Sequence, residues 1–446
     1  CCQSNAAIDE LCAKFKRTAA SALHTWARAG HEANVSETIR RDGHFVETVV
    51  DAHRLVFTTL YHALKQNDAA AWSFDTVVVD EGAATAEINT LVVFANAFQN
   101  NVRRGGTAPP KKIVLVGDHK QLRPYASREL HERGFGRSFM ERFITDGPTN
   151  AVTYCTLYEQ HRMPAVVRAL VSELFYENRL RDASSLSSRA PISTLGTRIL
   201  LVDLKFGAIH YDQVERSYCN FEEAAAVHQT YDWLRAKTSL SQADFAGAAC
   251  VLSPFNSHKN LLRANITGLD SGTLERYASR RARVGEAPTD LDERTRTVVA
   301  NIDTIDKYQG SERPIVLLSP VVVADPKRFD DPHLLCVALS RASDLLVVVG
   351  RVSDIAAAAS ATSAWPRILS YARAHGRVVT VEAPGRLVAA LDQADLTRPP
   401  APTQPAAPRT PTKRTAQSTG ITHDVAAVAL SSDTGESPLK KTRPQE

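Results

Sequence analysis

The chain has 446 residues, 43% of them hydrophobic and 23% charged, with a formal net charge of +4. That length allows two or three cores, and so slight a charge neither demands nor excludes a nucleic-acid partner. Seven scattered cysteines, of which only Cys1 and Cys2 are close, exclude a CxxC zinc signature and a secreted disulfide framework. A reduced intracellular compartment, cytoplasmic or nuclear, fits that usage. No apolar run reaches the roughly 20 residues of a membrane helix, and no signal peptide opens the chain. The sequence begins without Met, in CCQSNAAIDELCAKF, which reads as the interior of a domain; an amino-terminal truncation is expected.

In chain order, AAIDELCAKFKR predicts a helix with Ile8, Leu11, Cys12 and Phe15 on one face, capped by Ser4 or Asn5. Ala19 to Val50 is polar and gives no clear period. RLVFTTL, from Arg54 to Leu60, predicts a short strand carrying Thr58 and Thr59. FDTVVVDE, from Phe74 to Glu81, predicts a strand buried on both faces, as in a parallel sheet, closed by Asp80 and Glu81. A helix follows over Ala86 to Asn100. KKIVLVGDHKQLRP then repeats the strand pattern and ends in Gly117, Asp118 and Gln121.

A second series opens near Ala151. AVTYCTLYEQHRM predicts a strand meeting a polar tip, and PAVVRALVSELFY a helix opened by Pro164. RILLVDL is a strand, Asn220 to Lys237 a helix, and AACVLSPFNSHKNLLRANI a strand, loop and helix. NIDTIDKYQGSERPIVLLS reads as two strands around a Gly-Ser-Glu turn, and HLLCVALSRASDLLVVVG as another pair broken at Ser340 and Arg341. Strands alternating with helices over about 370 residues predict parallel α/β sheets, divided near Phe143 to Ala151. Beyond about Leu396 the chain turns rich in Pro, Thr, Ala and Ser and is expected to be disordered.

The strand ends carry the candidate chemistry, because open α/β sheets bind ligands at the carboxyl ends of their strands. Phosphoryl transfer to water needs Mg²⁺ held near the phosphates and a carboxylate to orient or deprotonate the water. Asp80 suits the metal and Glu81 the water. The amide of Gln121 can report a terminal phosphate, with Asp118 supporting the metal or its loop. Arg162, beside Gln160, and Arg341 can neutralise charge on transferring oxygens, Arg341 as a finger reaching across a cleft.

CCQSNAAIDEL, VVVDEGAA, VLVGDHKQLRP, EQHRM, VLSPFNSHK, NIDTIDKYQGSERPIVLLS and VALSRASDLLVVVG occur in the order and approximate spacing of superfamily 1 helicases. The resemblance covers roughly residues 1 to 375 and is strongest to the branch of the nonsense-mediated-decay helicase and its DNA- and RNA-translocating relatives. It implies two RecA-like P-loop NTPase domains, over 1–150 and 151–375, the first one truncated, with a C-terminal extension over 376–446. It implies ATP and Mg²⁺, with Asp80 and Glu81 as the Walker B pair and Gln121 as the phosphate-sensing glutamine. Gln160 matches a nucleotide-binding glutamine, Arg162 a phosphate-contacting arginine and Arg341 the finger. Gly310 and Glu312 match the Gln-Gly-x-Glu motif that couples nucleotide to the strand. Ser4 and Asn5 match a motif gripping nucleic-acid backbone, and Thr58, Thr59, Pro254, Asn256, Thr304 and Ser340 lie along the same track. Neutral donors there would bind any sequence through phosphate and sugar.

The sequence departs from the family pattern in two places. His161 stands where the family has an aromatic residue, and Pro164 follows Met163 without the family's second His. No G-x-x-x-x-G-K-[ST] loop occurs anywhere. The expectation is an ATP-dependent 5′-to-3′ helicase or translocase on single-stranded RNA or DNA, monomeric, open to regulatory proteins, and a fragment hydrolysing ATP poorly alone. The alternative is a catalytically inactive helicase-like module that binds nucleic acid or protein.

Overall fold

A computed structural model of the chain describes residues 1–2, 5–18, 24–47, 53–65, 74–103, 112–146, 153–270, 272–274, 292–321, 330–397 and 427–431. The chain divides into two compact units. Unit 1 comprises Cys1–His119, Arg123–Thr156 and Val425–Glu446; unit 2 comprises Lys120–Leu122 and Leu157–Asp424.

Unit 1 holds two sheets. In the first, β1 (Trp26–Ala29) pairs in parallel with β2 (Phe45–Val46) and with β3 (Leu55–Thr58). The predicted amino-terminal helix forms over Asn5–Lys16. Its Ile8 and Cys12 are buried against Trp26, Val35, Ile39 and Phe57, with Leu11 and Phe15 partly buried beside them. The second sheet pairs β4 (Thr76–Val79) in parallel with β5 (Lys112–Leu115). The segment Ala427–Ser431 lies antiparallel between β5 and β6 (Thr153–Cys155). A strand therefore stands within the stretch expected to be disordered; the rest of that stretch past 397 falls outside the described residues.

β4 departs from the expectation of burial on both faces. Val77 and Val79 are buried, whereas Thr76 is exposed and Val78 is 44% exposed. A continuous valine run cannot report which face is covered; the period-2 alternation of a strand puts Val78 on the opposite face from its neighbours. The covered face packs Leu60, Val77, Val79, Val93, Leu115 and Met140 together.

Among the described residues, unit 2 carries the small pairing of β7 (Glu159–Gln160) with β8 (Arg181–Asp182), a hairpin and a larger sheet. Its first large strand is β9 (Ile199–Leu204), followed by a hairpin of β10 (His210–Asp212) and β11 (Ser217–Cys219). β12 (Ala249–Ser253), β13 (Ile302–Thr304), β14 (Arg313–Leu318), β15 (Ala342–Gly350) and β16 (Arg377–Val381) complete it. The sheet runs β13-β12-β14-β15-β9-β16, all parallel. Every residue of β9 and β12 is buried. Ile199, Leu201, Cys250, Leu252, Val316, Leu318, Leu346 and Val348 face one core. Leu200, Val202, Ala249, Val251, Ile315, Leu317, Leu345 and Val347 face the other. This is the two-faced burial that continuous apolar strands imply.

Two expectations change here. HLLCVAL is a helix, Pro332–Leu339, and not a strand. Asp331 caps it by accepting from His333 N at 2.9 Å, Pro332 stands in its first turn, and six of its eight residues are buried. A short helix that is apolar all round leaves no 3.6-residue period to read. The folded part of unit 2 also runs past the expected boundary at 375, since β16 pairs with β9 and helix Leu387–Gln393 buries Leu387 and Leu391.

A buried polar chain fixes the tips of β14 and the helix Asn256–Thr267. Asn220 caps helix Phe221–Arg235 by accepting from Glu223 N at 2.9 Å. A glutamate at that third helical position ordinarily reaches back to the cap's own amide. Here that amide donates to His258 Nδ1 at 3.3 Å instead. The imidazole therefore carries its proton on Nε2 and donates to Ser319 Oγ at 2.8 Å. Ser319 in turn donates to Glu223 Oε1 at 2.6 Å, as does Val321 N at 2.8 Å. Val321 holds φ of 74°, a costly conformation for a β-branched residue, and the carboxyl pins it.

Burial pushes the Glu223 carboxyl up to about 7 and the His258 imidazole down to about 3. A raised carboxyl favours folding below its unfolded pKa and loses that contribution as pH rises through its folded value; a depressed imidazole does the reverse. Glu223→Gln keeps an oxygen for Ser319 and Val321 and removes the titration. Its stability relative to wild type should therefore grow between pH 4.5 and about 7, reaching on the order of 3 kcal/mol. Urea denaturation across that range reads it, and a pH-independent difference would refute the shift. In unit 1, a Cβ at Gly117 would stand 2.9 Å from Ala83 N and 3.1 Å from Gly82 N, whereas one at Gly247 would meet open space. Gly117→Ala should cost about 1–3 kcal/mol and Gly247→Ala should be neutral or stabilising; equal urea midpoints for the two variants would contradict that contrast.

Candidate functional site

In unit 1 the candidate chemistry stands at the tips of β4 and β5. Asp80 leaves β4 with its amide bonded to Cys1 O at 2.8 Å, and its Oδ1 accepts from Glu81 N at 3.0 Å. Glu81 takes φ of 54°, an uncommon conformation outside glycine. The following turn is sewn to the β5 tip, since Val116 N donates to Val79 O and Gly82 N to Val116 O, both at 2.8 Å. The close approach of Gly117 to Gly82 and Ala83 is what allows the two tips to meet. Asp80, Glu81 and Asp118 are all half-buried there. Among the described residues no group of three or more His, Cys, Asp or Glu could hold a metal unaided. Mg²⁺ is commonly bound by one or two carboxylates completed by water and phosphate oxygens, and the carboxylate of Asp80 is of the kind that chemistry uses.

Five of the expected residues gather in unit 2. Arg341 is buried and donates to Val337 O at 3.0 Å, Ser311 O at 3.3 Å, Gln121 Oε1 at 3.0 Å and Ser340 Oγ at 3.0 Å. Gln121 also bonds His333 Nδ1 through its carbonyl at 2.9 Å. Arg162 pairs with Glu312 through Nε and donates to Ser340 O at 3.3 Å. Gly310 stands two residues before Glu312 at φ of 82°, a turn that suits glycine. Gln121, Arg162, Glu312 and Arg341, widely separated in sequence, thus form one polar cluster with Ser340.

Gln160 is bonded within its own loop. Its Oε1 accepts from Arg162 N at 2.9 Å and Met163 N at 2.7 Å; its Nε2 donates to Met163 O at 2.9 Å and Asp182 Oδ1 at 2.5 Å. The amide shapes its own loop. Arg168 forks onto Asp182 at 3.2 and 3.0 Å. Burial pushes that carboxyl up, and the bonds from Arg168 and Gln160 outweigh burial, leaving it below the usual range. Arg189, which no motif marked, donates to Arg162 O at 2.7 Å and His161 O at 2.8 Å. His161 itself is exposed, 3.4 Å from Glu159.

Most of the expected nucleic-acid track is engaged within the fold. Ser4 lies outside the described residues. Asn5 accepts from buried Arg28 at 2.8 Å. Thr58 and Thr59 are buried, and Thr59 Oγ1 accepts from His62 N at 3.1 Å. Thr304 is buried opposite Ser253, and Ser340 donates to Val337 O at 3.2 Å. Pro254 is buried at the β12 tip, while Asn256, at the start of helix Asn256–Thr267, is exposed. Lys259 escaped the sequence reading although it lies one helical turn beyond, with Nζ 3.1 Å from Asn256 Oδ1. Burial and the charges of Arg263 and Lys307 lower its pKa, against Asp303 and Glu215.

Two family models, each described as an AAA domain, match the chain, one over residues 34–128 and one over 135–353. Among curated relatives, "Helicase SEN1" of Saccharomyces cerevisiae is 25% identical over 64% of this chain and 11% of its own length. "DNA replication ATP-dependent helicase/nuclease DNA2" of Xenopus laevis is 28% identical over 63% of this chain and 25% of its own. "5'-3' DNA helicase ZGRF1" of Mus musculus is 25% identical over 63% of this chain and 13% of its own. The chain thus spans a quarter or less of each of these relatives. Among the described residues no helix is long and apolar enough to cross a membrane. Matching AAA-domain models on both sides of residue 130 and these relatives at low identity over part of its length, the chain is similar to superfamily 1 helicase-like AAA/P-loop ATPases.

Proposed function

We propose that this chain serves as motor machinery of an ATP-dependent helicase or translocase moving 5′ to 3′ along single-stranded RNA or DNA. The observation that carries the reading is the cluster of Gln121, Arg162, Glu312, Ser340 and Arg341, where two cations and a phosphate-sensing amide stand together. Asp80 would hold Mg²⁺ through its shell; the ion bound with ATP would neutralise charge on the phosphate oxygens. Glu81 would orient the attacking water and accept its proton, and its fixed turn keeps the carboxylate beside Asp80. Arg162 would leave Glu312 for a phosphate at little cost, because a solvent-exposed ion pair is worth about 0–1 kcal/mol. Gln160 would act by holding the backbone of Arg162 and Met163 in place. The polarity follows the family branch, in which the mouse relative is named a 5'-3' DNA helicase.

A second reading, a helicase-like module that binds nucleic acid or protein without turnover, is favoured by the lack of a G-x-x-x-x-G-K-[ST] loop in the sequence. Hydrolysis of ATP with and without single-stranded RNA and DNA separates the two. The motor reading expects a low rate, raised by a nucleic-acid strand, that falls about a hundredfold in Glu81→Gln while strand affinity is kept. Undetectable hydrolysis with intact strand binding would leave the binding module.

A further inference from the structure

The second sheet of unit 1 contains one strand that runs against its neighbours. β4 and β5 are parallel, and the segment Ala427–Ser431 is antiparallel both to β5 and to β6. β5 and β6 therefore run the same way, one strand apart, with a reversed strand between them. A reversed strand in an otherwise parallel sheet is ordinarily added at an edge, and this one stands in the interior. Sheet neighbours are also usually close in sequence, whereas this segment comes last in the chain of all the described strands.

The interval it fills is defined on both sides. Lys112 N donates to Asp75 O at 3.0 Å and Val116 N to Val79 O at 2.8 Å, on the β4 side. Alternation along a strand aims the amides of Ile113 and Leu115 the other way, into the filled interval. There the register sets Val428 opposite Leu115 and Leu430 opposite Ile113, two residues that pack in the core of the unit. On the far side Val428 and Ala429 pair with Tyr154 and Thr153. Among the described residues β6 has no other strand partner. β5 leads into Val116, whose N and O hold Val79 and Gly82, so the interval borders the turn that carries Asp80 and Glu81.

Adding a strand by backbone pairing is a mode of peptide recognition in which the ladder supplies affinity and alternate side chains supply selection. The segment here is short and follows a Pro-rich stretch of sequence. Tethering then contributes to its hold, as an effective concentration on the order of millimolar. We propose that the interval between β5 and β6 is a strand-acceptor site. Ala427–Ser431 is its resident occupant, and an extended segment of a partner protein, apolar at the two alternate positions and free of proline, takes its place. The site is independent of nucleic-acid binding.

The test compares full chains: wild type, Ala429→Pro, and Ala407→Pro as a control that adds a proline to the same tail. Proline is excluded from a central strand because it removes a ladder bond. In Ala429→Pro, amide hydrogen exchange should rise at least about tenfold at Thr153–Cys155, Ile113 and Leu115, while Lys112, Val116 and the strands of unit 2 keep wild-type rates. Ala407→Pro should match wild type throughout. A labelled peptide of the sequence Val425–Asp433 should bind Ala429→Pro at least about tenfold more tightly than wild type, whose own segment competes. It should also restore slow exchange, and the peptide carrying Ala429→Pro should do neither. If Ala429→Pro loosens β4 as well, Val428→Gly, which keeps the amide and weakens the strand, should still bind the peptide more tightly than wild type. Unchanged exchange at β5 and β6, exposed edges that no peptide closes, or peptide affinity no higher in the variants than in wild type overturns the acceptor site.

Discussion

A parallel strand with a hydrophobic core on each face has no position along its length that can carry an unpaired polar side chain. That constraint orders unit 2. β9, β12, β14 and β15 are apolar almost throughout and supply two cores by simple alternation. Polar residues gather at or near the strand ends: Asp203 late in β9, Ser253 at the end of β12, Ser319 after β14, Ser340 and Arg341 just before β15 and Asp344 near its start. The middles of these strands are apolar, which leaves their ends for polar chemistry. Each tip then needs a device that keeps its polar atoms paired, since an unpaired buried group costs about 1–3 kcal/mol.

The same constraint explains which parts of the fold the sequence makes legible. Continuous apolar runs closed by charge mark the strands of unit 2 and their polar tips, so Arg162 and Arg341 are found from pattern and resemblance together. FDTVVVDE marks a strand equally well, but which of its faces is covered depends on what packs there. Val78 is exposed although its sequence context is indistinguishable from that of buried Val77 and Val79. HLLCVAL fails for the opposite reason. A helix buried all round has no polar stripe, and six consecutive apolar residues, Leu334 to Leu339, suit a strand as well as a helix. Its true signals are local, the Asp331 cap and Pro332 in the first turn.

Roles within the candidate site were legible by residue type and illegible by partner. Gln160 sits where a nucleotide-binding glutamine is expected, yet both ends of its amide are spent on the loop that carries Arg162 and Met163. Asp182 and Arg189, which complete that loop's support, are 20 or more residues away in sequence, in a stretch without periodicity. Glu223 reads as an ordinary third-position helix acid, and only the fold shows it turned toward Ser319 and Val321.

The two units solve the same problem by different means. In unit 1, the Asp80–Glu81 turn is held by backbone lying directly on backbone, with Gly117 lacking the Cβ that would press on Ala83 N and Glu81 accepting a strained φ. In unit 2, the loops around Arg162 and Asn256 are held by side-chain relays, Gln160 to Asp182 to Arg168 and Glu223 to Ser319 to His258. Contact between backbones leaves glycines at fixed places, and a sequence shows them. A relay needs only that some donor meet some acceptor, so many residue pairs satisfy it and none stands out. The relay's advantage is reach: His258 ties the first turn of a helix to a strand sixty residues later, and through Ser257 the same turn holds the β10–β11 hairpin.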